Sequence, residues 1–412
     1  MRYFLSMVLL ALACVQGMAQ GTDALAKRHA LISALYEKED YAGVVREVDA
    51  QLKQVKGTVY ADSLNRYLYK YGRAHRKLKD AAAGVAAAER IYALVKERGN
   101  ANHMIEALFD LSWTYYDVGE MKQCARVDSM AVLVSDSDPA VSIGQRGRAR
   151  QYLAFDYGVL GDHASSAKWA LAAIAQYEKG DSIPASQRAE SHTAVGSAYW
   201  HLGRIRDAES YYLKALEILG GGEEEAVLIR KVSAYGNLGV LWQNAGDFTR
   251  AKSFYHSSLR FSDRVIASTK DQFTRDEAIV NRSRTYLNIA TVYHQLGDHG
   301  RARELLELAL RDRSSVLQPD DPQLLVVQDR LADLELSVGN LDKAQALTTT
   351  YLTACERKFG QHSEEYIRAA SKLGDIAERK GELGRADSLF NVSIASSGSG
   401  TEAATNVVLA QT

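Results

Sequence analysis

The run Gly196-Ser197-Ala198-Tyr199-Trp200-His201-Leu202-Gly203-Arg204-Ile205-Arg206-Asp207-Ala208-Glu209-Ser210-Tyr211-Tyr212-Leu213-Lys214-Ala215-Leu216 holds two apolar stripes broken at one glycine. Before Gly203, Val195, Tyr199 and Leu202 stand three or four residues apart, and after it Ala208, Tyr212, Ala215, Leu216 and Leu219 resume that period. The spacing predicts two amphipathic helices joined by a tight turn. Gly203 falls where the first helix must stop, in a left-handed position that suits a residue without Cβ. Any other residue there would cost roughly 1–2 kcal/mol of backbone strain. Ala208 opens the second helix, and its small side chain lets the two axes approach to ~8–10 Å.

The unit recurs. Gly119, Gly161, Gly203, Gly246, Gly297, Gly339 and Gly381 are separated by 42, 42, 43, 51, 42 and 42 residues. Their neighbours travel with them, as Gly239, Trp242, Gly246, Ala251, Tyr255, Ser258, Leu259 and Ala290, Tyr293, Gly297, Ala302, Leu306, Ala309, Leu310 show. A period of this size marks stacked repeats, because one hairpin cannot bury its own apolar face. Two departures stand out. In the Gly161 copy the alanine comes at Ala167, which predicts one extra residue in that turn. The interval of 51 residues holds a polar insertion, Arg264–Asp276, expected to lengthen a hairpin. Upstream, Leu78-Lys79-Asp80 and Glu39-Asp40-Tyr41 keep the register without glycine and read as eroded terminal copies.

These residues resemble the tetratricopeptide repeat family, over about residues 101–395. The longer period and the connectors Leu317-Gln318-Pro319-Asp320-Asp321-Pro322 and Phe359-Gly360-Gln361-His362-Ser363-Glu364 resemble the kinesin-light-chain-like subgroup. The resemblance implies an all-α fold, a right-handed superhelical α-solenoid of about nine hairpins. The expected organisation is a leader over 1–19, degenerate hairpins over 20–100, the solenoid over 101–395 and a flexible tail over 396–412. The repeat is a scaffold for many roles, so the resemblance does not name one.

The leader reading rests on Arg2, the apolar run Tyr3–Val15 and the small residues of Gly17-Met18-Ala19. The run is shorter than the ~20 residues a membrane span needs. A cleaved export signal is expected, with a retained anchor or lipidation at Cys14 as alternatives, and the location is the periplasm or exterior of a Gram-negative bacterium. Net charge is −1 with both signs interspersed, so no basic stripe for nucleic acid exists. Cys124 fills a small-residue slot and reads as a buried hydrophobe. Cys355 lies five repeats on, so no bridge between the two is expected.

Catalytic patterns are missing from the sequence. It has no His-Glu-x-x-His, no Cys-x-x-Cys, no phosphate-binding glycine loop and no Gly-x-Ser-x-Gly. Gly220-Gly221-Gly222 reads as a helix stop. The expectation is a non-enzyme without cofactor or metal. Function is then expected on the first-helix face, which lines the concave groove in this family. Counting back from each glycine places Trp113, Tyr116, Trp200, His201, Asn237, Gln243, Asn244, Arg284, Asn288 and His294 there. Tyr152 and Phe155 fall on the same face but read as inter-repeat core. Asn237 and Asn288 resemble asparagines that clamp a bound peptide backbone, a task for which an amide has both donor and acceptor. The partner expected is a protein or peptide. The repeat subtype also resembles the amino-terminal half of exported caspase-like (CHAT) proteases, which implies an alternative: a regulatory arm for a peptidase absent from this chain.

Overall fold

The computed structural model describes residues 27–54, 68–78, 80–97, 101–180 and 182–397. The expected leader and most of the tail, 398–412, lie outside the described residues. Eighteen helices are described, and no strand occurs among those residues. They are α1 (27–37), α2 (Tyr41–Gln54), α3 (Leu68–Lys77), α4 (Ala81–Lys96), α5 (Ala101–Asp117), α6 (Met121–Ser137), α7 (Ile143–Val159), α8 (His163–Tyr177) and α9 (Ala185–His201). There follow α10 (Ile205–Leu219), α11 (Glu225–Asn244), α12 (Phe248–Ser268), α13 (Gln272–Gln295), α14 (His299–Val316), α15 (Pro322–Ser337), α16 (Leu341–Phe359), α17 (Glu364–Arg379) and α18 (Leu383–Ser397). Taken in order they form hairpins, α1/α2 to α17/α18. The chain divides into two compact units, one ending at Tyr211 and the other beginning at Tyr212. Within each unit, helices pack chiefly on their sequence neighbours.

The turns are built as the glycines predict. All seven repeat glycines have φ between +74° and +80°. The following N–H reaches back five residues to a helix carbonyl: Asp162 to Tyr157 at 2.9 Å, Arg204 to Tyr199 at 2.8 Å, Asp247 to Trp242 at 2.9 Å. This bond satisfies an otherwise orphaned helix-end carbonyl. It recurs upstream, from Asp40 N–H to Leu35 and from Asp80 N–H to His75, both at 2.9 Å. Glu39 supplies the left-handed residue of the first of these turns at φ +59°. Lys79 lies outside the described residues. The second helix is then capped by the aspartates Asp162, Asp247 and Asp298, whose carboxylates accept from the N–H of Ser165, Arg250 and Arg301 at 3.0–3.1 Å.

Five residues after each glycine stands a buried small side chain: Cys124, Ala208, Ala251, Ala302, Ala344 and Ala386. The Gly161 copy corrects the sequence reading. Its second helix starts two residues after the glycine, as α12 does after Gly246, so the turn holds no extra residue. Ser166 takes the slot, buried, with its hydroxyl donating to Ala154 O at 2.8 Å. The small residue was misplaced because a satisfied serine can do what alanine does there. Arg264–Asp276 lengthens its hairpin, divided between the end of α12 and the start of α13.

A second device ties the helices of a hairpin together. Gly239 of α11 lies under the ring of Tyr255 of α12, and Gly374 of α17 under Phe390 of α18, so close that an added Cβ would overlap the ring. The hydroxyl of Tyr255 donates to Gln243 Oε1 at 2.7 Å. These glycine-and-ring pairs stand seven residues before and nine after the turn glycine. Cys124 and Cys355 are both free and buried.

Candidate functional site

In the first unit, α5, α7 and α9 are the first helices of successive hairpins, and α5 touches α7 as α7 touches α9. Between them lies a cavity of about 380 Å³. Its origin is a missing ring. Where α12 carries Tyr255 against Gly239, the α5/α6 hairpin carries Asp128 against Ser112, joined by a hydrogen bond from Ser112 Oγ to Asp128 Oδ2 at 2.8 Å. The next hairpin puts Ala154 and Ala170 at the same two positions, both fully buried. Two consecutive hairpins therefore lack the ring that Tyr212, Tyr255 and Phe390 supply at this position; Leu306 and Thr348 stand there in two further copies.

One wall is aromatic. Trp113 and Tyr116 come from α5, Tyr152 and Phe155 from α7. Trp113 meets Tyr116 edge-on at 5.5 Å and Tyr152 at 5.8 Å, and Tyr116 meets Phe155 at 5.6 Å between centroids. Tyr152 is braced from behind by Phe109 at 4.8 Å. Trp113, Tyr116 and Phe155 are 43%, 39% and 44% exposed, so their outer edges face solvent. Phe155 is thus a rim residue, which corrects its reading as core. The opposite wall holds His163 and His201, stacked at 4.1 Å with planes 5° apart. Burial and the neighbouring His163 lower the pKa of His201.

The floor is acidic. Asp128 and Asp156 are 1% and 2% exposed. Burial raises both carboxyls, and each also feels the other; Asp156 is pushed up to about 7 and Asp128 well above the carboxylate range. The two carboxyls are hydrogen-bonded to each other, and Asp128 Oδ1 and Asp156 Oδ2 accept no hydrogen bond from any other described residue. Glu190 also lines the cavity, and no lysine or arginine does among the described residues. Beside the floor, Gln151 is fixed by Tyr177 Oη at 3.0 Å and Ser191 Oγ at 3.2 Å, both donating to its Oε1. Cys124, behind the pair, has its thiol pushed up to about 12 by burial and the two aspartates, which keeps it protonated.

The residues expected from the sequence are thus divided. Trp113, Tyr116 and His201 come together in this cavity. Trp200 meets His201 at 4.5 Å with the ring planes tilted by 52°, and is half-buried and outside the lining. In the second unit, Asn237 on α11 and Asn288 on α13 are half-buried on two first helices that touch each other. Gln243 is held by Tyr255. Asn244 and Arg284 are exposed, and exposed His294 has its Nδ1 3.1 Å from His299 Nδ1. Asp128, Asp156 and Ser112 were missed. The signal for them was present in the register: Asp128 stands at the ring position, and Asp156 at a position held by Ala198, Leu241, Val292, Leu334 and Ile376 in other copies.

Among the described residues there is no group of three or more potential metal ligands and no helix long and apolar enough to cross a membrane. What the two units define is an α-helical hairpin-repeat protein. The chain carries tetratricopeptide repeats: family models of that repeat match residues 281–357 and 189–218. No match was found among curated protein sequences. Solved structures are similar in fold. The apo form of the quorum sensor NprR from B. thuringiensis aligns over 91% of this chain and 99% of its own, at 13% identity and TM-score 0.57. The signal-transduction ATPase PH0952 from Pyrococcus horikoshii, a STAND protein with a tetratricopeptide repeat sensor, aligns over 90% of this chain and 54% of its own, at 15% identity and TM-score 0.58. The apo form of RapI aligns over 71% of this chain and 98% of its own, at 10% identity and TM-score 0.51.

Proposed function

We propose that this protein is a non-catalytic binding module whose ligand is a peptide or an extended protein segment, held on the first-helix face. The observation that carries the reading is the cavity between α5, α7 and α9, where two consecutive hairpins supply a wall of Trp, Tyr and Phe rings and the third an imidazole to one opening. Its volume lies at the small end of the range typical of ligand pockets, ~300–1,000 Å³. A single residue or short segment fits that space, with the exposed edges of Trp113, Tyr116 and Phe155 left to contact its neighbours. Both NprR and PH0952 are described as sensors or as carrying a repeat sensor, which accords with this use of the fold. The sequence of residues 1–19 supports action outside the cytoplasm, a point that cell fractionation with and without that segment checks.

The test is capture of a random-peptide library by the full chain and by the double variant Trp113→Ala, Phe155→Ala. Aromatic anchors at the centre of an interface contribute ~2 kcal/mol or more each. Peptides recovered by the native protein are therefore expected to bind the variant at least about tenfold more weakly. Equal affinity would move the site off this cavity, and the Asn237 and Asn288 face of the second unit would be the next to alter.

A further inference from the structure

We propose that the cavity floor formed by Asp128 and Asp156 is a receptor for the basic side chain, lysine or arginine, of a peptide bound in the cavity; this rests on the peptide-binding reading above. Four observations converge on it. Both carboxyls are more than nine-tenths buried and line the opening. Beyond the hydrogen bond that the two carboxyls make with each other, each has an oxygen that accepts none from a described residue, Asp128 Oδ1 and Asp156 Oδ2. The lining has acidic residues on three helices, Asp128, Asp156 and Glu190, against two imidazoles and no lysine or arginine. The walls are rings, and a cation beside Trp113, Tyr116 and Tyr152 gains from their negative faces as well as from the acids. An ammonium or guanidinium would replace the proton between the two carboxyls and donate to both.

The empty and filled states balance in charge. Two adjacent buried carboxyls do not both ionise, so above about pH 7, where Asp156 has lost its proton, the empty pair shares one proton. A bound cation stabilises the doubly ionised pair. One positive charge enters, one proton leaves to solvent, and the charge of the cavity is unchanged. Ser112 of α5 donates to Asp128, Cys124 of α6 and Tyr152 of α7 feel the pair's charge, and His163 of α8 with Glu190 and His201 of α9 complete the titratable lining. The exposed rim decides between a peptide and a free amine. A small amine would fill the floor and leave the outer edges of Trp113, Tyr116 and Phe155 uncovered, whereas residues flanking a basic side chain would cover them.

The experiment uses acetylated, amidated octapeptide pools, each with one fixed central residue: lysine, arginine, norleucine or glutamate. Each pool is titrated into the full chain and into Asp128→Asn, Asp156→Asn, with Asp156→Asn alone as a second variant. The lysine and arginine pools are expected to bind at least tenfold tighter than the norleucine and glutamate pools. Calorimetry in two buffers should show close to one proton released at pH 8, above the Asp156 value of about 7. The preference should vanish in the variants while their melting temperature is unchanged or higher. Norleucine binding as tightly as lysine, with both lost in Trp113→Ala, Phe155→Ala, would overturn the cation assignment and leave the peptide reading standing. Binding of n-butylamine as tightly as the lysine pool would overturn the assignment to a peptide. Binding of no pool at all would remove both readings.

Discussion

Asp128 and Asp156 sit where the repeat register places apolar side chains, and the first unit is less stable at neutral pH for holding them. A carboxyl raised by burial binds its proton more tightly folded than unfolded. The folded state therefore carries the extra proton between the unfolded pKa, ~3.9, and the raised value of about 7 for Asp156. Across that window the Asp156 contribution falls as pH rises, by about 1.4 kcal/mol per pH unit for one proton, and levels off above it, while the raised Asp128 carries the fall further. Asp156→Asn cannot ionise, and its amide can donate to Asp128. The variant is expected to be more stable than the native chain by about 1–3 kcal/mol at pH 8 and close to it at pH 5, as denaturant titration at the two pH values will show. A second residue carries local strain. Glu39 holds φ +59° without being glycine, so Glu39→Gly is expected to strengthen the α1/α2 hairpin by about 0.5–1 kcal/mol, read as slower amide exchange in those two helices.

At the level of the hairpin, one pair of positions separates the ring-filled hairpins from the α5/α6 hairpin beside the cavity. Gly239 under Tyr255 closes its hairpin, and Gly374 under Phe390 does the same. Ser112 and Asp128 leave theirs open. Rewriting the second pair as the first, Ser112→Gly with Asp128→Tyr, should place a ring in the cavity and remove a buried carboxyl. The expected result is a gain of about 1–3 kcal/mol in stability with loss of peptide binding, checked by thermal melting and by the pool titration on the same preparation. The single change Asp128→Tyr should destabilise instead, since the Ser112 side chain occupies the space the ring needs. The turns were legible in the sequence because each needs a particular residue type at a fixed offset: a left-handed glycine, then a small side chain five residues on. Trp113, Tyr116 and His201 were found for the same reason, by counting from those glycines. The cavity was not, because it arises from an absent ring rather than a present motif, and aspartate at a core position has no pattern of its own. Ser166 shows the complementary failure, a polar residue whose hydroxyl is satisfied by Ala154 O and which packs as alanine would.

Across the whole chain, the two units carry buried acids whose pKa values are moved in opposite directions, and this separates their responses to pH. In the second unit, Glu335 has a fully buried side chain. Burial alone would raise its pKa, but Arg303 donates to both oxygens at 2.7 and 2.9 Å, and Asn340 Nδ2 and Lys343 Nζ add bonds at 2.6 and 2.9 Å. The donors prevail and hold the carboxyl at about 2. A depressed carboxyl stabilises the fold above its unfolded pKa, ~4.3, and that contribution is lost only as pH falls toward the folded value. Between pH 8 and pH 5 Glu335 therefore changes nothing, while the Asp128–Asp156 pair takes up its proton and strengthens its surroundings. Amide exchange followed by mass spectrometry, with rates corrected for the pH dependence of chemical exchange, reads both units in one sample. Protection in α5–α8 is expected to rise on going from pH 8 to pH 5, and protection in α15 and α16 to hold until below about pH 4 and then fall. Equal change in both segments would mean that the aspartate pair is already ionised and paired in the free protein, and the proton released on ligand binding would then have to come from elsewhere.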